Sequence, residues 1–103
     1  MRLSLDFDGV ICERNEIPRK KNWRKCKPMK LAKEGIWTLL ENYEVYILTN
    51  RPEEEWDDIY KWLLKNGFPS LLVTNKKLPN TFAYIDDRAI RFTNWLDICK
   101  YFG

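Results

Sequence analysis

The sequence predicts an α/β protein built on a mainly parallel sheet of about four strands. Short runs rich in Val, Ile, Leu and aromatic residues alternate with longer segments in which apolar residues recur at helical spacing. This alternation is typical of parallel sheets whose strands are joined by helical crossovers. With 103 residues, of which 45% are hydrophobic, the chain can form one core, and we expect residues 1–103 to be a single domain.

Two strands and one helix are predicted in the first half of the chain. An apolar run at residues 1–6 forms the first strand and ends at an acidic residue. Residues 7–28 form a long connection that is rich in Lys, Arg and Asn and contains two prolines. Apolar residues at helical spacing predict a helix over residues 29–42, and a β-type run predicts the second strand at residues 44–48.

The second half of the chain repeats this pattern. Acidic residues crowd the first turn of a helix predicted over residues 53–65, as the helix dipole favours, and an apolar stripe follows them. Strands are predicted at residues 71–74 and 82–85, with a polar loop between them. Asn94 is a suitable N-cap for a last helix over residues 95–102.

Composition excludes several kinds of site. The chain has no histidine, which excludes Ser-His-Asp and Cys-His catalysis and histidine-ligated metals. Cys12, Cys26 and Cys99 are widely spaced and include no C-x-x-C pair, which argues against a disulfide framework and favours a reducing cytoplasm. No apolar run is long enough to cross a membrane, so we expect a cytoplasmic protein without a membrane partner.

Positive charge is concentrated in one stretch, residues 19–30, which we call the basic segment. It holds seven basic residues and no acid, although the whole chain has a net charge of only +3. Such a segment attracts polyanions with salt-dependent affinity, and Trp23 within it could stack on a nucleic-acid base. A solvated, mobile loop is an equally good interpretation of the same composition.

Polar side chains follow each predicted strand. Because ligands of parallel α/β sheets bind beyond the carboxyl ends of the strands, we expect these side chains to form a site. Neighbouring carboxylates repel each other unless a cation lies between them, although Asp and Gly after a strand are also ordinary turn residues. The residues are Asp6 and Asp8, then Thr49 and Asn50, then Lys76 and Lys77, then Asp86 and Asp87.

The ordered set of motifs resembles the haloacid dehalogenase superfamily of phosphotransferases. The sequence DFDGV from Asp6 is similar to the first motif of that family, and ILTNRP from Ile47 is similar to the second. Lys76 or Lys77 stands for the third motif, and YIDDR from Tyr84 for the fourth. The resemblance implies a Rossmann-like, three-layer α/β/α sandwich and a Mg²⁺-dependent phosphatase. The intervals between the motifs leave no room for a cap domain, so the chain resembles a minimal, capless member.

The resemblance also implies catalytic roles. Asp6 would be the nucleophile that forms an aspartyl phosphate, and Asp8 would be the general acid and base. Thr49 would donate a hydrogen bond to the phosphoryl group, and Lys77 would balance its charge. Lys76 is the alternative lysine.

The same resemblance assigns binding roles. Asn50 and Arg51 would contact the substrate, although Arg51 could instead pair with an acidic side chain. Magnesium would be the cofactor, because it prefers oxygen ligands. The expected ligand positions are Asp6, the backbone carbonyl of Asp8, and one of Asp86 and Asp87, with Asp87 favoured as the direct ligand.

The substrate class is not specified by these residues. A capless site is open, so the partner could be a phosphorylated small molecule or a phosphorylated nucleic-acid end. A different hypothesis is a non-catalytic module that binds nucleic acid or another anionic partner through the basic segment, residues 19–30. A third is a phosphatase subunit whose site is completed by a partner, and the oligomeric state is open.

Overall fold

The structure, a computed structural model, describes residues 1–13 and 23–103. It confirms the predicted α/β class, with four parallel strands in one sheet in the order β3-β2-β1-β4. The nucleophile strand of the prediction, β1, is therefore a central strand. The bounds are β1 Arg2–Leu5, β2 Glu44–Leu48, β3 Leu72–Thr74 and β4 Thr81–Ile85.

Three α-helices connect or follow these strands: α1 Ala32–Leu39, α2 Trp56–Lys65 and α3 Trp95–Phe102. Short 3-10 turns occur at Trp23–Lys25 and Glu53–Glu55. Each predicted strand and helix is present, with bounds that differ by at most a few residues at the ends. The largest difference is α1, which begins at Ala32 because Leu31 has a left-handed backbone with φ of 64°.

The hydrophobic core lies on one face of the sheet. Strand register aligns Leu3 with Val45 and Leu5 with Ile47, and all four side chains are buried. Because alternate residues of a strand point to opposite faces, these side chains share the face that α1 and α2 cover. The helices contribute Ile36, Ile59, Trp62 and Leu63 to the same cluster of buried residues.

On the opposite face, Ser4 and Tyr46 of the central strands are buried, whereas residues of the edge strands and of the C-terminal helix are much more exposed. Leu72 and Tyr84 point to this second face and are 54% and 45% exposed. The side chain of Asn94 accepts a hydrogen bond from the Asp97 N–H at 2.9 Å, which confirms the predicted N-cap of α3. However, α3, the helix that would supply the second helical layer of the sandwich, has no buried residue.

Among the described residues, no helix is both long enough and apolar enough to span a bilayer.

Candidate functional site

Three carboxylates meet at the carboxyl ends of β1 and β4. Asp6 follows β1, and its backbone N–H donates to the carbonyl of Ile85 at 2.9 Å, which continues the pairing of these strands by one residue. Asp86 and Asp87 follow Ile85 directly and therefore lie beside Asp6. Each of the three acids offers a carboxylate oxygen, and these oxygens lie within 4.8 Å of one another.

This crowding changes the ionisation of Asp6. Burial, followed by the negative charge of Asp86, raises the pKa of Asp6 from its ordinary value of 3.8 to about 6. A hydrogen bond from the Phe7 N–H to its Oδ1, at 2.8 Å, opposes the rise. The cluster therefore stores electrostatic repulsion, which a bound cation would relieve.

A tight turn after Asp6 positions the second acid of the first motif. The carbonyl of Phe7 accepts the N–H groups of Ile11 and Cys12 at 3.0 and 3.1 Å, so the chain folds back at once. Gly9 takes a φ of 86°, which a residue with a Cβ rarely adopts. The ring of Phe7 is fully buried and anchors the turn in the core.

Asp8 is held by Arg51 in a two-point ion pair. Arg51 Nε donates to Asp8 Oδ2 at 2.9 Å, and its Nη2 donates to Oδ1 at 2.8 Å. The third nitrogen, Nη1, donates to Glu55 at 3.1 Å. The guanidinium also lies over the ring of Trp23, with 4.4 Å between Arg51 Cζ and the ring centroid. Arg51 is therefore an organising residue of the site, and its pairing with an acid is the alternative that the sequence left open.

Thr49 and Asn50 directly follow β2, at the same edge of the sheet. Thr49 is buried, and its backbone N–H donates to the Thr74 carbonyl at 2.9 Å. Its hydroxyl oxygen accepts the Arg51 N–H at 3.1 Å, which leaves the hydroxyl proton available for a ligand. Asn50 is exposed.

The two candidate lysines lie in the exposed loop between β3 and β4. The Lys76 N–H donates to the hydroxyl of Thr74 at 3.1 Å, which fixes the start of the loop. The ammonium of Lys77 lies 5.1 Å from the ring centroid of Tyr84, two residues before Asp86. The choice between Lys76 and Lys77 as the phosphate lysine stays a prediction.

Two described residues of the basic segment, Trp23 and Arg24, contact the rest of the fold. Trp23 is only 4% exposed and makes an edge-on contact with Phe7, so the hypothesis that it stacks on a nucleic-acid base is wrong. Arg24 forms an ion pair with Asp58 of α2 at 2.7 Å. Lys25, Lys27 and Lys30 are exposed, and the basic residues at positions 19–21 lie outside the described residues.

Two cysteines lie beside Asp8. The thiol of Cys12 donates to Asp8 Oδ1 at 3.8 Å, and the thiols of Cys12 and Cys26 hydrogen-bond to each other. This contact lowers the pKa of Cys26, whereas the same contact and burial raise the pKa of Cys12. Sequence analysis missed this pair because the two residues are far apart in the chain.

The donor set at the sheet edge fits a hard divalent cation. Asp6, Asp86 and Asp87 supply only oxygen ligands, as Mg²⁺ and Ca²⁺ prefer. The Oδ1 of Asp86 also accepts the Arg88 N–H at 2.7 Å, so one of its oxygens is fixed by the local turn. The preference for Asp87 over Asp86 as the direct ligand stays a prediction.

The fold and the position of the acids together define a class: an α/β protein with a parallel sheet and an acidic cluster at the carboxyl ends of two neighbouring strands, β1 and β4. The comparisons with known proteins extend this. A solved structure of a conserved protein from Bacteroides thetaiotaomicron superposes with a TM-score of 0.66, covering 95% of this chain and 85% of that one. At 22% sequence identity, this likeness supports the fold alone.

One curated protein has detectable sequence similarity. A protein from Bacillus cereus named "Putative nucleotidase" is 35% identical over 48 residues, which are 46% of this chain. The matched part is 25% of that protein, so the chain aligns with about a quarter of the length of this curated relative. No family model matches the chain.

Proposed function

We propose that this chain is a Mg²⁺-dependent phosphatase of the haloacid dehalogenase type that hydrolyses phosphomonoesters. The observation that carries the proposal is the cluster of Asp6, Asp86 and Asp87, whose carboxylate oxygens lie within 4.8 Å of one another. The name of the Bacillus cereus relative is consistent with this class of hydrolase. A cytoplasmic location and a capless single domain are parts of the same proposal.

In the proposed reaction, the Asp6 carboxylate attacks the phosphorus of the substrate. The bond between phosphorus and the leaving oxygen breaks, and an aspartyl phosphate forms. Asp8 donates a proton to the leaving alkoxide and then accepts one from the water that hydrolyses the intermediate. A magnesium ion at Asp6, Asp87 and the Asp8 carbonyl would supply charge neutralisation between the carboxylate and the phosphate.

The pairing of Asp8 with Arg51 bears directly on this scheme. Both oxygens of Asp8 accept hydrogen bonds from the guanidinium. As a general acid, Asp8 would carry a proton beside this charged donor, and we expect Arg51 to loosen part of the contact in that step. A phosphate at the site would offer Arg51 an alternative anionic partner. The hydrogen bond from Arg51 Nη1 to Glu55 would keep the guanidinium in place during this exchange.

Thr49 supports the phosphoryl group from the second strand. Its hydroxyl is buried and oriented by the Arg51 N–H, so it is already positioned when substrate arrives. Such fixed donors stabilise the charge that develops in the transition state without reorganising at the moment of reaction. Asn50, Lys76 and Lys77 remain the proposed groups for the outer oxygens of the substrate.

The test is hydrolysis of a small aryl phosphate by the native chain and by Asp6→Asn, each with Mg²⁺ and with EDTA. We expect turnover only for the native chain with Mg²⁺. Glu41→Gln is the matched control, because Glu41 is an exposed acid that follows α1. Activity in Asp6→Asn would remove Asp6 from the role of nucleophile.

A folded native chain that hydrolyses no phosphomonoester would refute the proposal that this chain is a phosphatase. A panel of 5′- and 3′-phosphorylated oligonucleotides should therefore follow the aryl phosphate. Hydrolysis of an oligonucleotide end would identify a nucleic-acid phosphatase. Salt-dependent binding without hydrolysis would instead favour the alternative, an anion-binding module that uses residues 19–30.

A further inference from the structure

Cys12 and Cys26 are brought together by a short antiparallel ribbon next to the site. Cys12 forms an isolated bridge with Pro28, and the flanking hydrogen bonds are Glu13 N–H to Lys27 carbonyl at 2.8 Å and Met29 N–H to Ile11 carbonyl at 2.7 Å. Cys26 lies two residues before Pro28. Residues two apart in an extended segment point to the same side, and the two thiols are in hydrogen-bond contact.

The two cysteines differ in accessibility and are both held in place. Cys12 is 1% exposed, whereas Cys26 is only partly buried. The carbonyl of Cys26 accepts a hydrogen bond at 3.0 Å from the indole N–H of Trp62, a buried residue of α2. The partly exposed thiol can therefore meet a small oxidant, and the buried thiol lies behind it.

We propose that Cys12 and Cys26 are a thiol-oxidation site that closes to an intramolecular disulfide when it meets a small-molecule disulfide. The Cys26 thiolate attacks one sulfur of the oxidant, whose sulfur–sulfur bond breaks and releases one thiolate. Cys26 is then part of a mixed disulfide. The Cys12 sulfur attacks the Cys26 sulfur, the mixed disulfide breaks, and the Cys12 proton leaves with the released sulfur as the second thiol. Two protein thiols are oxidised, and the oxidant is reduced to two thiols.

Closing this bond would cross-link the two arms of the ribbon beside Asp8. The bond would also remove the thiol proton that Cys12 donates to Asp8. The oxidation site itself does not depend on phosphatase activity, because its readouts are covalent mass and thermal stability.

The experiment treats the full chain with oxidised glutathione, blocks remaining thiols by alkylation, and measures intact mass and a non-reduced peptide map. We expect a loss of two hydrogen atoms, a Cys12–Cys26 linked peptide and one alkylated thiol at Cys99. The melting temperature should rise by roughly 10 °C and return to its first value with a dithiol reductant.

Three variants separate the role of Cys26, which attacks the oxidant, from that of Cys12, which closes the internal bond. Cys12→Ser should retain glutathione on Cys26, because the resolving thiol is gone, and Cys26→Ser should form no internal bond and keep Cys12 unmodified. Cys99→Ser, an exposed position on α3, should form the same internal bond as the native chain. Native protein that keeps all its thiols, carries glutathione on Cys12 and Cys26 separately, or links only through Cys99 would overturn the proposal.

Discussion

Replacing Asp6 with asparagine should stabilise the fold at neutral pH when no divalent cation is present. Asparagine keeps the side-chain oxygen that accepts the Phe7 N–H, so the local turn is preserved. What changes is the charge that lies beside Asp86 and Asp87. The variant therefore removes a carboxylate whose ionised form is disfavoured first by burial and then by the negative charge of Asp86.

The magnitude follows from the pKa of Asp6, which is raised from 3.8 to about 6. Each pKa unit corresponds to about 1.4 kcal/mol, so full transfer of this shift would give about 3 kcal/mol. Asp6 is only half-buried, and solvent screening reduces the expected gain to about 1–2 kcal/mol. For a domain of this size, the melting temperature should rise by roughly 5–10 °C.

The dependence on pH has a definite sign. The folded state binds the Asp6 proton more tightly than the unfolded state does, so this side chain favours folding below about pH 3.8. That contribution is lost as the pH rises through about 6. The advantage of Asp6→Asn should therefore be near zero at pH 4 and reach its full value above pH 7.

The assay is thermal or urea unfolding followed by far-ultraviolet circular dichroism, in EDTA, at a series of pH values. Glu41→Gln serves as the control for removing an acid from the exposed surface. An advantage of Asp6→Asn that is the same at pH 4 and pH 7.5 would refute the ionised Asp6 carboxylate as its cause. A variant less stable than the native chain at pH 7.5 would refute it as well.

Three further results are expected. Millimolar Mg²⁺ should raise the melting temperature of the native chain but not that of Asp87→Asn, because binding stabilises only a fold that has the site. Equal increases in the melting temperatures of both proteins, measured by differential scanning calorimetry, would place the ion elsewhere. Arg51→Lys should lose the two-point contact with Asp8 and lower the free energy of unfolding by about 1–2 kcal/mol in urea titrations. An unchanged urea midpoint would contradict the pairing of Arg51 with Asp8. Phe7→Ala should lower the free energy of unfolding by about 3–5 kcal/mol in the same titrations, because the ring fills the space beside Trp62. A decrease of less than about 1 kcal/mol would mean that Phe7 does not anchor the turn there.

The order of strands and helices could be predicted because local pattern and tertiary role agree along most of the chain. Glu44–Leu48 is found with the predicted bounds, since its apolar residues are buried on a central strand and polar residues flank it. The meeting of Asp6 with Asp86 and Asp87 was predictable from parallel topology, which places the carboxyl ends of adjacent strands at one edge. Their roles as metal ligands and nucleophile stay predictions.

Features that depend on side-chain packing between distant segments could not be predicted in the same way. Trp23 lies among basic residues, yet it is buried against Phe7 and Arg51. The pairing of Arg51 with Asp8 joins residues 43 positions apart, and no local pattern specifies it. The contact of Cys12 with Cys26 depends in the same way on how the ribbon after the first turn folds back.

The exposed aromatic surface of β4 and α3 has a consequence for colloidal behaviour. β4 is an edge strand, and its five residues Thr81–Ile85 contain no proline and no charge, the features that usually discourage strands of different molecules from pairing. Phe82 of this strand is 64% exposed, and Trp95 and Phe102 of α3 are 72% and 75% exposed. With an isoelectric point near 8.8, the molecule loses its net charge in mildly alkaline buffers. Self-association should therefore be strongest there and should weaken as the pH falls toward 7, where the positive charge keeps molecules apart.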